Sequence, residues 1–127
     1  MVFKMTRVLV LLAALVPMST FGAEAKAKEE IEHLIAHLGS SGCQFNRNGS
    51  WHTSERAVSH LRRKYDYLVK KNLVPSAEAF IERAAAESSA SGKPYLVKCG
   101  KTAAVPSAQW LSRELERYRA NDGQQNH

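Results

Sequence analysis

The sequence has 127 residues, with 18 Lys and Arg against 12 Asp and Glu and a formal net charge of +6 at pH 7. A chain of this length forms one domain with a modest core and is too short for two. The basic residues are scattered among acidic ones, without the interleaved arginine and aromatic residues of a nucleic-acid surface, so we expect no nucleic-acid partner.

The N-terminus has the three parts of a secretory signal peptide. Lys4 and Arg7 precede an apolar run at residues 8–16, and small residues then lead to a cleavage motif at residues 23–25. Earlier cleavage within the same small-residue stretch is an alternative. The apolar run is much shorter than the roughly 20 residues that span a bilayer, so we expect no stable membrane anchor.

This leader divides the chain into three parts. We expect residues 1–25 to be the signal peptide, residues 26–120 to form a single helical domain, and residues 121–127 to be a disordered tail. Cys43 and Cys99 are the only cysteines. In an exported domain such a pair predicts one disulfide, and the sequence has no C-x-x-C pair of the kind that redox enzymes use.

A first helix is predicted over residues 25–38 and ends at Gly39. Its apolar residues recur with the 3.6-residue period of one helix face, at Ile31, Leu34, Ile35 and Leu38. Glycine is a frequent residue just beyond a helix C-terminus.

The stretch 43–51 contains Asn48-Gly49, a dipeptide that favours a type I′ turn. The flanking residues alternate poorly, so a very short hairpin and a turn leading straight into the next helix are both open. Residues 95–99 alternate and are rich in β-formers, which predicts a strand. Its only candidate partner is the region of Phe45, which the disulfide would bring beside it.

Three further helices are predicted from their caps and apolar stripes. The second begins after Thr53 or Ser54 and ends at Asn72; the third begins after Ser76, and the fourth after Ser107. Together these features predict a mainly α fold: a compact four-helix domain with a minimal two-strand element and one disulfide.

Residue types that carry catalysis or bind metal do not form a convincing set. His33 and His37 are four apart on the first helix and could grip a metal, but the sequence offers no obvious third ligand. His60 is interpreted as a boundary residue that hydrogen-bonds locally. We therefore assign no catalytic residue, no metal site and no cofactor, and an enzymatic role is uncertain and less favoured.

Four segments carry a resemblance to a family of proteins. They are Cys43-x-Phe45-x-Arg47-Asn48-Gly49, His60-Leu61-x-x-Lys64-Tyr65-x-Tyr67-Leu68, Ala77-Glu78-x-Phe80-Ile81-x-x-Ala84-Ala85, and Ser88-Ser89-x-Ser91-Gly92-Lys93-x-Tyr95 running on to Cys99. The chain resembles a family of small exported proteins of unknown function from Gram-negative bacteria. The resemblance implies a periplasmic location and a helical domain with one disulfide, and it supplies no catalytic residues.

The polar members of these segments are the candidate binding surface: Arg47, His60, Lys64, Tyr67 and Lys93. Tyr67 also lies one position off the apolar stripe of the second helix, beside basic residues, and exposed tyrosine with arginine is typical of binding hot spots. We expect a non-enzymatic binding or adaptor module for an envelope protein or an anionic polymer. The alternatives are an inhibitor or immunity-type protein that blocks an envelope enzyme, and a small metal-dependent hydrolase.

Overall fold

A computed structural model describes residues 10, 11, 13 and 19–125 of the chain. Most of the expected signal peptide lies outside these residues, so its cleavage remains a prediction. The described residues form four helices: α1 Ser19–Ser40, α2 Ser54–Lys70, α3 Ala77–Phe80, which continues as a π-helical turn over Ile81–Ala85, and α4 Ser107–Gln125. The same part of the chain forms four strands: β1 Gln44–Arg47, β2 Ser50–His52, β3 Leu96–Lys98 and β4 Val105–Pro106.

The sheet corrects the predicted fold class. The expected two-strand element is wrong, because the four strands form one antiparallel sheet in the order β2-β1-β3-β4 and make the fold mixed α/β, though mainly helical. Phe45 of β1 pairs with His52 on one side and with Val97 of β3 on the other, and Val97 pairs with Val105 of β4. The edge strands have three residues and two, too few to show an alternating pattern.

The stretch 43–51 forms a hairpin, which is one of the two alternatives that its sequence leaves open. Asn48 and Gly49 have φ values of 53° and 86°, the left-handed conformations that a type I′ turn requires at both central residues. On the other edge, β4 ends with Pro106, which lacks a backbone N–H and is tolerated because an edge strand has one unpaired side.

Cys43 and Cys99 form the predicted disulfide. Cys43 directly precedes β1 and Cys99 directly follows β3, and their Cα atoms are 4.3 Å apart. The bond therefore ties together one end of the central strand pair of the sheet.

The helices begin and end close to the predicted positions, with two differences at the termini. Thr53 and Ser76 cap α2 and α3, as expected: each side chain accepts a hydrogen bond from the backbone amide three residues on. The described part of α1 starts at Ser19, ahead of the predicted start. At the other end α4 runs to Gln125, so residues 121–125 of the expected disordered tail are helical; residues 126–127 lie outside the described residues.

One hydrophobic core joins the four helices to the sheet. Its fully buried side chains include Leu34 and Leu38 of α1, Leu61 of α2, Phe80 of α3 and Leu111 of α4. The sheet adds Phe45 and Val97, and Tyr95 enters the core just before β3. Among the described residues, no helix has both the length and the apolar character needed to cross a bilayer.

Candidate functional site

A partly buried face of α2 carries a chain of hydrogen bonds centred on His60. Arg47 Nη1 lies 2.6 Å from His60 Nδ1, and His60 Nε2 lies 2.9 Å from the Tyr95 hydroxyl. Lys64 Nζ donates to the same hydroxyl at 3.2 Å and to the Glu87 carbonyl at 3.1 Å. We call Arg47, His60, Lys64 and Tyr95 the His60 cluster.

Three separate parts of the fold position these side chains. His60 and Lys64 are one turn apart on α2 and so point the same way. Arg47 is the last residue of β1, next to the tight turn. Tyr95 is 1% exposed; its ring packs on Phe45 at 4.9 Å between centroids, and its backbone bonds to Ala86 and Ser107.

Hydrogen-bond chemistry fixes the protonation state of His60. Arginine can only donate, so His60 Nδ1 must accept and the neutral ring must carry its hydrogen on Nε2. Nε2 then donates to the Tyr95 hydroxyl. In agreement, burial and the neighbouring charges of Arg47 and Lys64 lower the pKa of His60 from 6.5 to about 4.

The other members of the cluster respond to the same surroundings. Burial lowers the pKa of Lys64, and the charge of Arg47 adds to this effect while Glu87 opposes it. Burial raises the pKa of Tyr95, so the phenol stays protonated at neutral pH. The His60 cluster therefore consists of hydrogen-bond donors grouped around an uncharged histidine.

Two cavities flank the His60 cluster and share His60 and Arg63 in their walls. The first has a volume of about 310 Å³ and is lined by Phe45, Arg47, His52, Glu55, Arg56, Ala57, Ser59, His60 and Arg63. The second has a volume of about 260 Å³ and is lined by His60, Arg63, Lys64, Tyr67, Leu68, Arg83 and Ser89. Glu55 is the one carboxylate in the two linings, against five Arg and Lys side chains.

The structure brings together four of the five residues proposed as a binding surface. Arg47, His60 and Lys64 belong to the cluster, and Tyr67 lines the second cavity with 60% of its surface exposed. Lys93 is exposed, lines neither cavity, and its side chain makes no hydrogen bond to the described residues.

Sequence reasoning missed two parts of this site. The alternating pattern of residues 95–99 marks Tyr95 only as a strand residue, although its hydroxyl links His60 to Lys64. Arg63 lies one residue before Lys64 on the face shared by the cavities, and the helical spacing from His60 was the available signal.

A second polar group lies between α1 and α4. Glu114 of α4 is 5% exposed and lies 3.0 Å from His33 Nε2 and 3.4 Å from His37 Nε2. Burial works to raise the pKa of Glu114, but hydrogen bonds from Arg117 and His33 outweigh it and the pKa is lowered. Burial lowers the pKa of His37.

These two histidines therefore have a partner that the sequence did not reveal. Glu114 is also bound by Arg117, and the rings of Tyr118 and Trp110 pack on His33 and His37 at centroid distances of 4.1 and 4.7 Å. Within the described residues, no group of three or more His, Cys, Asp or Glu is arranged to hold a metal ion. We interpret the group as part of the α1–α4 interface.

Comparison with known proteins places the chain in a family. The profile of a family of unknown function, DUF5329, matches residues 25–119. The uncharacterized protein YfeK of Salmonella typhimurium is 49% identical over 51 residues, which span 40% of this chain and 41% of that protein. No solved structure matches the chain. Because the family profile covers most of the chain, including both cysteines and the whole His60 cluster, the protein belongs to the DUF5329 family of unknown function.

Proposed function

We propose that the protein is a non-enzymatic binding module of the periplasm that captures an anionic group of an envelope component on the face of α2. The observation that carries this proposal is the set of basic side chains around two adjoining cavities, opposed by a single carboxylate. Basic walls that partly exclude water attract anions more strongly than the same charges do on an open surface.

The state of His60 favours binding over catalysis. A general base needs a free nitrogen that can take a proton from a substrate. Both nitrogens of His60 have partners, Arg47 on one side and Tyr95 on the other. A hydrolase centred on His60 would first have to break one of these bonds.

The turn at Asn48 bears on the inhibitor alternative. An inhibitor that blocks an enzyme by inserting this turn would need the turn to project from the body of the protein. The Asn48 amide instead bonds to the hydroxyls of Ser88 and Ser91, at 3.2 and 2.5 Å, so the turn is held against the neighbouring loop. This contact favours a binding module over an inserting loop.

A periplasmic location is part of the proposal. Disulfides form and persist in the periplasm and are rare in the cytosol, and the protein has one. The signal-peptide pattern of the sequence supports the same location.

The test uses oxidised protein purified from the periplasm and a matched pair of variants. Arg63→Glu changes the wall shared by the cavities, whereas Arg113→Glu makes the same charge change on an exposed face of α4. Binding to fluorescent dextran sulfate, with neutral dextran as the blank, would be followed by anisotropy. We expect Arg63→Glu to weaken binding about tenfold and Arg113→Glu to change it less than about twofold.

Two results would contradict the proposal. Equal losses in the two variants would mean that only net charge matters, and absence of binding to the sulfated polymer would remove the anionic ligand. If neither result occurs, a pull-down from periplasmic extract with the same three proteins would identify the natural component. That component should be retained by wild type and Arg113→Glu and lost by Arg63→Glu.

A further inference from the structure

The Tyr95 hydroxyl is surrounded by donors. His60 Nε2 and Lys64 Nζ both donate to its oxygen, which uses the two lone pairs. The hydroxyl hydrogen has no acceptor among the described residues, although only 1% of the surface of Tyr95 is exposed. A buried donor without an acceptor costs stability unless something outside the chain accepts from it.

Both cations of the His60 cluster have donors without a partner among the described residues. Only one of the five N–H groups of Arg47 has a partner among the described residues, and that partner is His60. Lys64 has three hydrogens and bonds only to the Glu87 carbonyl and to Tyr95. Neither side chain has a carboxylate within salt-bridge distance in the described part of the chain.

A ligand for this site must therefore supply acceptors and negative charge. Two cations that form no salt bridge to the described residues match a dianion, and His60 adds no third charge because it is neutral. Three groups have a donor to spare, and they come from β1, α2 and the segment before β3: the remaining N–H groups of Arg47, the third hydrogen of Lys64 and the hydroxyl of Tyr95. A tetrahedral group with three terminal oxygens satisfies such a set better than a planar carboxylate with two.

We infer that the His60 cluster is a subsite for the dianionic phosphate group of a phosphate monoester, an inference that rests on the proposed anion-binding function. Arg47 and Lys64 balance its charge, and the Tyr95 hydroxyl donates to one of its oxygens. The organic part of the monoester extends into the second cavity, where Tyr67 and Leu68 provide apolar surface.

Calorimetric titration of the oxidised full-length protein at pH 7.5 would test this inference with four probes. Phenyl phosphate and inorganic phosphate carry the dianion, whereas dimethyl phosphate and acetate are monoanions. We expect phenyl phosphate to bind at least as tightly as inorganic phosphate. The two monoanions should bind at least about tenfold more weakly than phenyl phosphate. Affinity for phenyl phosphate should fall as the pH drops below about 6, where phosphate monoesters take up a proton.

Two variants locate the site. Tyr95→Phe keeps the buried ring and removes the hydroxyl. Tyr118→Phe is its matched control, because it removes a hydroxyl that bonds to Glu29 between α4 and α1 and that lines neither cavity. We expect Tyr95→Phe to weaken phenyl phosphate binding about tenfold and Tyr118→Phe to leave it unchanged. Lys64→Met gives a second reading in case Tyr95→Phe unfolds the protein, which circular dichroism would show.

The outcomes separate this inference from the function on which it rests. If dextran sulfate binds with the expected Arg63 dependence but acetate equals phenyl phosphate, the phosphate inference is overturned and the binding function stands. If phosphate binding ignores both Tyr95→Phe and Lys64→Met, the subsite lies elsewhere and the inference is equally overturned. If no anionic probe binds, both proposals fail.

Discussion

His60 shows how neighbours set the chemistry of a single side chain. A histidine on a helix surface ordinarily titrates near 6.5, but here burial and two adjacent cations keep the ring neutral and lower its pKa to about 4. Its two nitrogens are committed to Arg47 and Tyr95, so the residue organises donors around it and does not carry charge itself.

This state predicts a pH dependence of stability. Because the pKa of His60 is about 4 in the folded protein and near 6.5 when unfolded, the unfolded chain binds more protons between these values. The contribution of His60 is thus fully present above pH 6.5 and is lost as the pH falls towards 4. Its size should be on the order of 1 kcal/mol, below the full linkage value because the ring is only partly buried.

Urea unfolding at pH 7 and pH 4.5 would measure this contribution. His60→Gln cannot titrate, so its stability should decrease less over this range than that of the wild type, and His52→Gln on the rim of the first cavity serves as the control. The other histidines cancel in the comparison. A His60→Gln variant with the same acid sensitivity as wild type would contradict the assignment.

At the scale of elements, α1 and α4 are joined by polar pairs as well as by apolar packing. Lys26 bonds to Asp122, Arg119 to Glu30 and His33 to Glu114. The first of these pairs lies where α4 continues into the segment that the sequence suggested would be disordered, and it gives that extension a contact on α1.

Of these pairs, the one between Arg119 and Glu30 should be the most sensitive to substitution. It grips Glu30 with two hydrogen bonds of 2.7 and 2.9 Å and also bonds to Glu78, so it ties α4 to both α1 and α3. Glu30 is 3% exposed, and losing Arg119 would leave its carboxylate buried without a cation. We expect Arg119→Ala to lower the unfolding free energy by about 2 kcal/mol, less than for a fully buried pair because the guanidinium is partly exposed.

Arg113→Ala is the matched control, since Arg113 is an exposed arginine of the same helix with no hydrogen bond to the described residues. Its effect should stay within about 0.5 kcal/mol. Denaturant titration of both variants would provide the comparison. Similar losses in the two would show that the Glu30 contact adds little to stability.

These elements also show what the sequence alone can predict. Caps and the 3.6-residue period found all four helices, because both signals are local. Glu30 and Glu114 sit beside apolar stripes, and their burial between helices is not predictable from the sequence, since the contacts with Arg119 and His33 span 89 and 81 residues. The edge strands are hard to predict for a related reason. The sequence leaves β2 open as one arm of a short hairpin and gives no signal for β4, because both strands are defined by pairing across the sheet and not by a pattern of their own.

In the molecule as a whole, the candidate site depends on contacts between segments that are far apart in the sequence. The resemblance to a known family pointed to Arg47, His60 and Lys64, but the meeting of these residues with Tyr95 requires β1 and β3 to be adjacent. The disulfide joins that same strand pair at one end. The stability of the fold and the geometry of the site are therefore linked.

Reduction should destabilise the protein substantially. Cys43 and Cys99 are separated by 56 positions, and in the chain-entropy model a cross-link closing such a loop stabilises the folded state by roughly 4 kcal/mol. Because the cross-linked residues flank paired strands, losing the bond should also loosen the register that places Arg47 beside His60. We expect urea unfolding to shift by about 3–4 kcal/mol when a reductant is added.

The double variant Cys43→Ser/Cys99→Ser separates loss of the bond from side effects of the reductant. It should match the reduced wild type in stability and show no further change when reductant is added. Under native conditions, the reduced wild type and the double variant should both bind an anionic probe more weakly than the oxidised protein, because β1 is held less firmly against β3. A shift of less than about 1 kcal/mol on reduction would mean that the core alone holds the strand pair, and that the site does not depend on the oxidising compartment proposed for this protein.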